Sequence, residues 1–249
     1  MSASVSLLRR AAAEFVGTGA LVAIVVGSGI QAVALTHDVA LQLLANCLAT
    51  VAGLAVLIAL LGPVSGAHFN PAVTLAAWWS GRRDGAGPGL REVVAYAGAQ
   101  TGGAIGGAVL ANAMFAAPLV AWSTHQRSAP HLWLAEAVAT AGLVALIFGL
   151  ARTGRERLAP VAVAGWIGAA YWFTSSTSFA NPAVTIGRAF SDSFAGIAPA
   201  SVPAFVVAQV VGAAVGLGLV GLLYPHRDVD VLPDLPAARG EVVAASAPR

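Results

Sequence analysis

Residues 68–76 read HFNPAVTLA, and residues 179–187 read FANPAVTIG. Each holds an Asn-Pro-Ala tripeptide, at Asn70-Pro71-Ala72 and at Asn181-Pro182-Ala183. Asparagine suits a helix N-cap, where its side-chain oxygen accepts an orphaned backbone N–H. Proline suits the first helical position, where its missing N–H costs nothing. Each stretch therefore predicts a helix start. The apolar segments that follow, about 71–79 and 182–190, are too short to cross a bilayer, which takes about 20 residues. Two such starts in one apolar chain predict half-helices that meet inside a membrane.

Around them lie six longer apolar runs, at about 11–35, 39–61, 92–116, 132–151, 158–176 and 202–224. Of the 249 residues, 58% are hydrophobic and 10% charged, and the mean hydropathy is +0.80. Soluble domains carry about 25% charged residues, so the composition excludes an ordinary soluble globule. Residues 1–30 have the outline of a signal peptide, but the run is long enough to span, contains Glu14 and recurs later in the chain. The tail 225–249 is rich in Pro, Ala and charge and is expected to be a disordered cytoplasmic segment.

All 13 basic residues are arginine. Basic residues favour the cytoplasmic side of a membrane. With residues 1–10 inside, Arg9, Arg10, Arg82, Arg83, Arg91, Arg152, Arg155, Arg157, Arg227, Arg239 and Arg249 are cytoplasmic, against Arg127 and Arg188 outside. Six spans then leave both termini inside. The pI near 9.2 comes from these loop arginines and indicates no nucleic-acid face. A single cysteine, Cys47, excludes an internal disulfide or a cysteine metal cluster. The five histidines show no ligand spacing, so neither metal nor cofactor is expected.

The chain repeats itself. AEFVGTGALV at 13–22 matches AEAVATAGLV at 135–144, and AYAGAQTGGAIGG at 95–107 matches AFVVAQVVGAAVG at 204–216. The tripeptides fall in the same order. Repeats of about 11–117 and 131–224 each hold three spans, an odd number, so they must insert with opposite topology. Inverted repeats with broken helices place a solute site near the midplane. Glycines four apart, Gly98/Gly102/Gly106, Gly103/Gly107 and Gly212/Gly216, predict close helix crossings.

Two helix N-termini facing one point each present about half a positive charge there, which repels cations. Asn70 and Asn181 spend their oxygens on capping and keep amide N–H groups for the lumen. The non-helical stretches before them, Gly66, Ala67, His68 and Phe69 and Thr177, Ser178, Phe179 and Ala180, offer backbone carbonyls as acceptor ladders. Irregular backbone at this depth is tolerated where it lines water or is buried in protein.

SGAHFNPAVT at 65–74, the second ANPAVT at 180–185 and the repeated Ala-Glu and Ala-Gln blocks resemble the aquaporins of the major intrinsic protein family over about residues 10–224. The resemblance implies an all-α membrane protein with six transmembrane helices and two re-entrant half-helices. It also implies a homotetramer with one pore per subunit, in which Glu14 and Glu136 brace the two broken loops.

The chain departs from the family at the filter. Where aquaporins usually carry Arg directly after the second Asn-Pro-Ala, this chain has Val184. By family spacing the other filter positions are Thr50, Ala169 and Ser178, an uncharged and wide ring. Val at this position resembles bacterial aquaglyceroporins associated with arsenic resistance. Arg188, four residues on, and Cys47, three residues before Thr50, are candidates for the outer pore. The expectation is a passive channel in a bacterial inner membrane for small uncharged solutes, arsenite or related metalloid acids and polyols. A general glycerol and water facilitator is the alternative. An ion-coupled transporter is a distant one, since it needs charge at mid-depth. No nucleophile or phosphate loop points to an enzyme.

Overall fold

The computed structural model describes residues 5–82 and 87–224. The predicted tail and Arg83, Arg227, Arg239 and Arg249 lie outside them. Every regular element among the described residues is helical. The chain runs α1 (Leu7–Leu35), α2 (Val39–Ser65), α3 (Pro71–Gly81), α4 (Leu90–Met114), α5 (Pro130–Arg152), α6 (Ala159–Phe173), α7 (Pro182–Arg188) and α8 (Val202–Leu223). The architecture is the one the sequence resemblance implies: six long helices and two half-helices, α3 and α7.

Five of the six long helices have 22 to 29 residues. The sixth is shorter than the predicted run 158–176: α6 has 15 residues, preceded by a 3-10 turn over Glu156–Leu158. At 1.5 Å per residue plus that turn, this reaches about 28 Å, close to the thickness of the hydrocarbon core.

Both half-helices start as their sequences dictate. Asn70 Oδ1 accepts the N–H of Ala72 at 2.9 Å, and Asn181 Oδ1 accepts those of Ala183 and Val184 at 3.0 and 3.2 Å. The α2 helix ends on Gly66 in the left-handed conformation, a common helix stop.

The two halves close in the same way. A Cβ on Gly103 would sit 2.2 Å from the Phe15 carbonyl oxygen, and one on Gly107 2.1 Å from that of Gly19. So α1 and α4 cross with backbones in contact. Across α5 and α8, Gly212 and Gly216 would place a Cβ 2.3 and 2.5 Å from the carbonyl oxygens of Ala137 and Ala141. Gly98, Gly102 and Gly106 are not part of this contact, because a Cβ there meets nothing closer than 3.5 Å. Small residues matter in a bilayer because association depends on close packing rather than on escape from water.

Candidate conduction pathway

A cavity of about 220 Å³ runs through the bundle past both Asn-Pro-Ala motifs. Its wall at mid-depth is the backbone before each half-helix. There Gly66, Ala67 and Phe69 have φ of 87°, 49° and 47°, and Thr177, Ser178 and Ala180 have 61°, 53° and 48°. Counted back from Asn70 and Asn181, these are the same three positions. Left-handed backbone is costly for residues with a Cβ, so something must hold these loops.

The holding groups are Glu14 and Glu136. Both are fully buried. Glu14 accepts the N–H of His68 at 3.0 Å and of Phe69 at 2.6 Å, together with the Ser65 hydroxyl and Gln100 Nε2 at 2.6 and 2.7 Å. Glu136 accepts the N–H of Phe179 and Ala180, each at 2.8 Å, and Gln209 Nε2 at 2.6 Å. Gln100 and Gln209 also donate to Thr74 and Thr185 of the half-helices, at 3.0 and 2.8 Å. Each repeat thus ties loop, half-helix and two long helices to one carboxylate.

The asparagines do more than cap. Asn70 Nδ2 donates to the Ala180 carbonyl and Asn181 Nδ2 to the Phe69 carbonyl, each at 2.7 Å. This corrects the expectation for the amides: one hydrogen of each is spent on the other repeat, which leaves the second of the pair for the lumen. The carbonyls of Phe69 and Ala180 each accept one such bond and keep a second lone pair. Of the expected ladder residues, Gly66 to Phe69 and Ser178 to Ala180 line the cavity, and Thr177 does not.

His68 lines the cavity with its Nδ1 3.0 Å from Thr74 Oγ1. That hydroxyl donates to the Asn70 carbonyl at 3.1 Å, so its proton is spent. The network thus makes Nδ1 a donor and places a proton on it.

At the end away from the N-terminus the wall differs from the expected ring. Thr50, Ser178 and Val184 line the cavity, but Ala169 does not. Ala169 is exposed on the face of α6 that also carries Val161, Gly165 and Trp172. The lining face of α6 is Ala159, Val163, Ile167 and Tyr171. Tyr171 is buried, and its hydroxyl lies 3.2 Å from Thr50 Oγ1. Cys47 does not line the cavity either. It is buried between α2 and α6, with Sγ 3.6 Å from the Gly168 carbonyl oxygen.

Nor is this wall free of arginine. Arg188 lines it, only 3% exposed. Its Nε donates to the Ala195 carbonyl, and its guanidinium carbon stacks 3.4 Å from the Phe179 ring centre. It lies in the last turn of α7, where a cation favours the helix dipole. Among the described residues it has no carboxylate partner, so its charge stays unneutralised at the cavity wall. Arg127 stacks on the same ring at 5.1 Å and donates to the Gly196 carbonyl at 3.0 Å. The hydroxyl of Ser178, buried at this wall, has no hydrogen-bond partner among the described residues. Tyr171 and the Phe179 ring are absent from the spacing-derived ring, and α6, apolar all round, carries no periodic signal that would have pointed to Tyr171.

The profile of the major intrinsic protein family matches residues 1–178. The chain is 51% identical over 224 residues to the aquaglyceroporin AqpS of Rhizobium meliloti, across 90% of this chain and 94% of that one. It is 34% identical over 122 residues to the propanediol uptake facilitator PduF of Citrobacter freundii, across 49% of this chain and 43% of that one. A solved aquaglyceroporin from Plasmodium falciparum shares the fold with a TM-score of 0.62 at 22% identity, covering 86% of this chain and 96% of that one. Falling on a bundle built around two crossed half-helices, the family match and the AqpS alignment identify the chain as a member of the major intrinsic protein family, a multi-pass membrane channel rather than an enzyme.

Proposed function

We propose that this channel passes small uncharged solutes rich in hydroxyl groups: polyols, and metalloid acids such as arsenite, an uncharged trihydroxide of about glycerol's size. The observation that carries the reading is the mixed lining of the lumen. Ladder carbonyls, the asparagine amides, Thr50, Tyr171, Ser178 and Arg188 line it together with apolar Leu21, Val25, Leu54, Ile58, Leu143 and Ile147. A polyol can bond its oxygens to the polar groups and rest its carbon edge on the apolar ones. Pore lining and width decide what passes. At about 220 Å³ the cavity has room for several waters, each taking about 30 Å³. Two helix N-termini and Arg188 oppose cations. AqpS and PduF, named for glycerol-type and propanediol transport, support the same solute class.

The channel unit in this reading is 11–224, a homotetramer in a bacterial inner membrane with both termini cytoplasmic. Among the described residues, Arg9, Arg10, Arg82, Arg91, Arg152, Arg155 and Arg157 are at the end of the bundle where α1 begins, against Arg127 and Arg188 at the other. This asymmetry supports the orientation.

Parallel proteoliposome flux of water, glycerol, arsenite and methylated arsenicals tests the reading. Glycerol and arsenite should both pass, without dependence on an imposed ion gradient. Water flux with glycerol and arsenite excluded overturns it, as does gradient-driven uptake. Glycerol without arsenite favours the general glycerol and water facilitator.

A further inference from the structure

Two consecutive carbonyls beyond α7 are each held by an arginine. The Ala195 carbonyl accepts the Nε–H of Arg188, and the Gly196 carbonyl accepts that of Arg127 at 3.0 Å. Both guanidiniums also lie on the Phe179 ring, their carbons 3.4 and 5.1 Å from its centre. Arg188 belongs to α7 and lines the cavity; Arg127 belongs to the connection between α4 and α5 and does not. That connection is strapped across the segment after α7. Ala121 and Ser123 donate their N–H groups to the carbonyls of Phe190 and Ala189 at 3.1 and 3.0 Å, and the His125 carbonyl accepts the N–H of Ala198 at 2.7 Å. The Arg127 N–H donates to Ser201 Oγ at 2.9 Å. The turn is packed hard against the strap: a Cβ on Gly196 would sit 2.3 Å from Ser123 Oγ and 2.7 Å from the Ser191 carbonyl oxygen. Among the described residues Arg127 forms no salt bridge that would draw its guanidinium away from the ring and the turn.

We propose that Arg127 is a positioning residue for the channel's selectivity: from outside the pathway it fixes the ring and the turn that hold Arg188, and so decides where the Arg188 charge stands in the wall. An arginine side chain has much rotamer freedom to lose when it is ordered, and it stays in one place only if its partners do. Those partners are the Phe179 ring and the Ala195 carbonyl. Phe205 packs on the same ring with centroids 5.3 Å apart, and Arg127 adds the contact that also ties the ring to the turn. Without Arg127 the Gly196 carbonyl loses its donor, and the ring and the turn lose their link. The charge of Arg127 offers a different route to selectivity, but that route acts through space and needs no Arg188, so the two are separable. The inference rests on Arg188 lining the pathway and is independent of which solute passes.

The test is a double-mutant cycle on the full-length protein in proteoliposomes, read as potassium leak relative to osmotic water flux. Arg127→Ala should raise that ratio about fivefold, the factor that one lost hydrogen bond of ordinary strength gives, while far-UV circular dichroism stays that of the parent. In an Arg188→Leu background Arg127→Ala should add nothing, because the residue it positions is gone. Arg127→Lys keeps the charge but lacks the planar stack, so it should leak as Arg127→Ala does; it also carries the test where Arg127→Ala fails to fold. A cryo-electron microscopy structure of Arg127→Ala should show the Arg188 guanidinium displaced from the Phe179 ring. An equal effect of Arg127→Ala with and without Arg188, a parental ratio in Arg127→Lys, or an unmoved Arg188 in that structure would each overturn the proposal. A parent that excludes glycerol counts against the solute reading alone, since leak and water flux are measured without it.

Discussion

Arg188 lies with its guanidinium carbon 3.4 Å from the centre of the Phe179 ring. The two residues belong to opposite ends of one broken segment: Phe179 is in the irregular loop before α7, and Arg188 is in the last turn of α7. A charge absent after the second Asn-Pro-Ala thus returns one helical turn further on. An aromatic face and the Ala195 carbonyl hold it in place. A guanidinium stacked over a ring is a cation–π geometry.

Arg188→Leu should therefore reduce passage of anionic methylated arsenicals while sparing neutral arsenite, and should raise cation leak. Arg188→Lys should not restore the parent ratio, because an ammonium lacks the planar stack and the paired donors. Liposome flux of the anionic and neutral species side by side measures this. The same ratio in parent and Arg188→Leu would remove Arg188 from the filter.

Val184 lines the cavity beside Arg188. Val184→Arg puts a long side chain and a second charge into the same cross-section. Glycerol flux should fall more than water flux, by about tenfold or more, since steric exclusion scales with solute size. Stopped-flow light scattering on the two solutes decides it. Equal losses for water and glycerol would mean that the position does not set width.

Asn181 caps α7 and donates to Phe69 across the repeat boundary. Asn181→Ala loses the cap, about 1 kcal/mol, and the crossing bond, again about 1 kcal/mol. The apparent Tm should drop and flux should fall moderately. Asn181→Asp keeps a capping oxygen but sets an acceptor-only carboxylate against the Phe69 carbonyl, with a negative charge at mid-depth. It should admit cations or fail to fold. Parent-like solute flux without cation current in Asn181→Asp would contradict the account of donors and helix ends.

Glu14 and Glu136 each hold two consecutive backbone N–H groups of a strained loop. A glutamine at either position offers one acceptor and one donor where both atoms must accept. At least one buried N–H is left unmatched, a cost of about 1–3 kcal/mol. Glu14→Gln and Glu136→Gln should both unfold several degrees below the parent in detergent and conduct poorly. Parent-like melting of both variants would show that the loops hold their shape without the carboxylates.

The two half-helices were legible in the residues themselves. Their start signals, Asn at the cap and Pro at the first turn, act through bonds to neighbours two or three residues away. The spans were legible because a bilayer demands a fixed length of apolar chain, and the repeats because AEFVGTGALV and AEAVATAGLV keep their order. The glycine crossings were partly legible. Spacing proposed three sets, and only Gly103/Gly107 and Gly212/Gly216 meet a backbone.

Which way α6 turns was decided by the tertiary structure alone. A helix with lipid on one side and protein on the other is apolar all round, so nothing in its pattern separates Tyr171, in the cavity wall, from Ala169, outside it. The placement of Arg188 was equally out of reach. Four residues from Val184 put it on nearly the right face, but its side chain settles on a ring from the preceding loop and a carbonyl from the following one. Local bonds are written in adjacent residues and can be read from them. The lining of a pore depends on which faces of distant helices meet, and only the packed chain settles that.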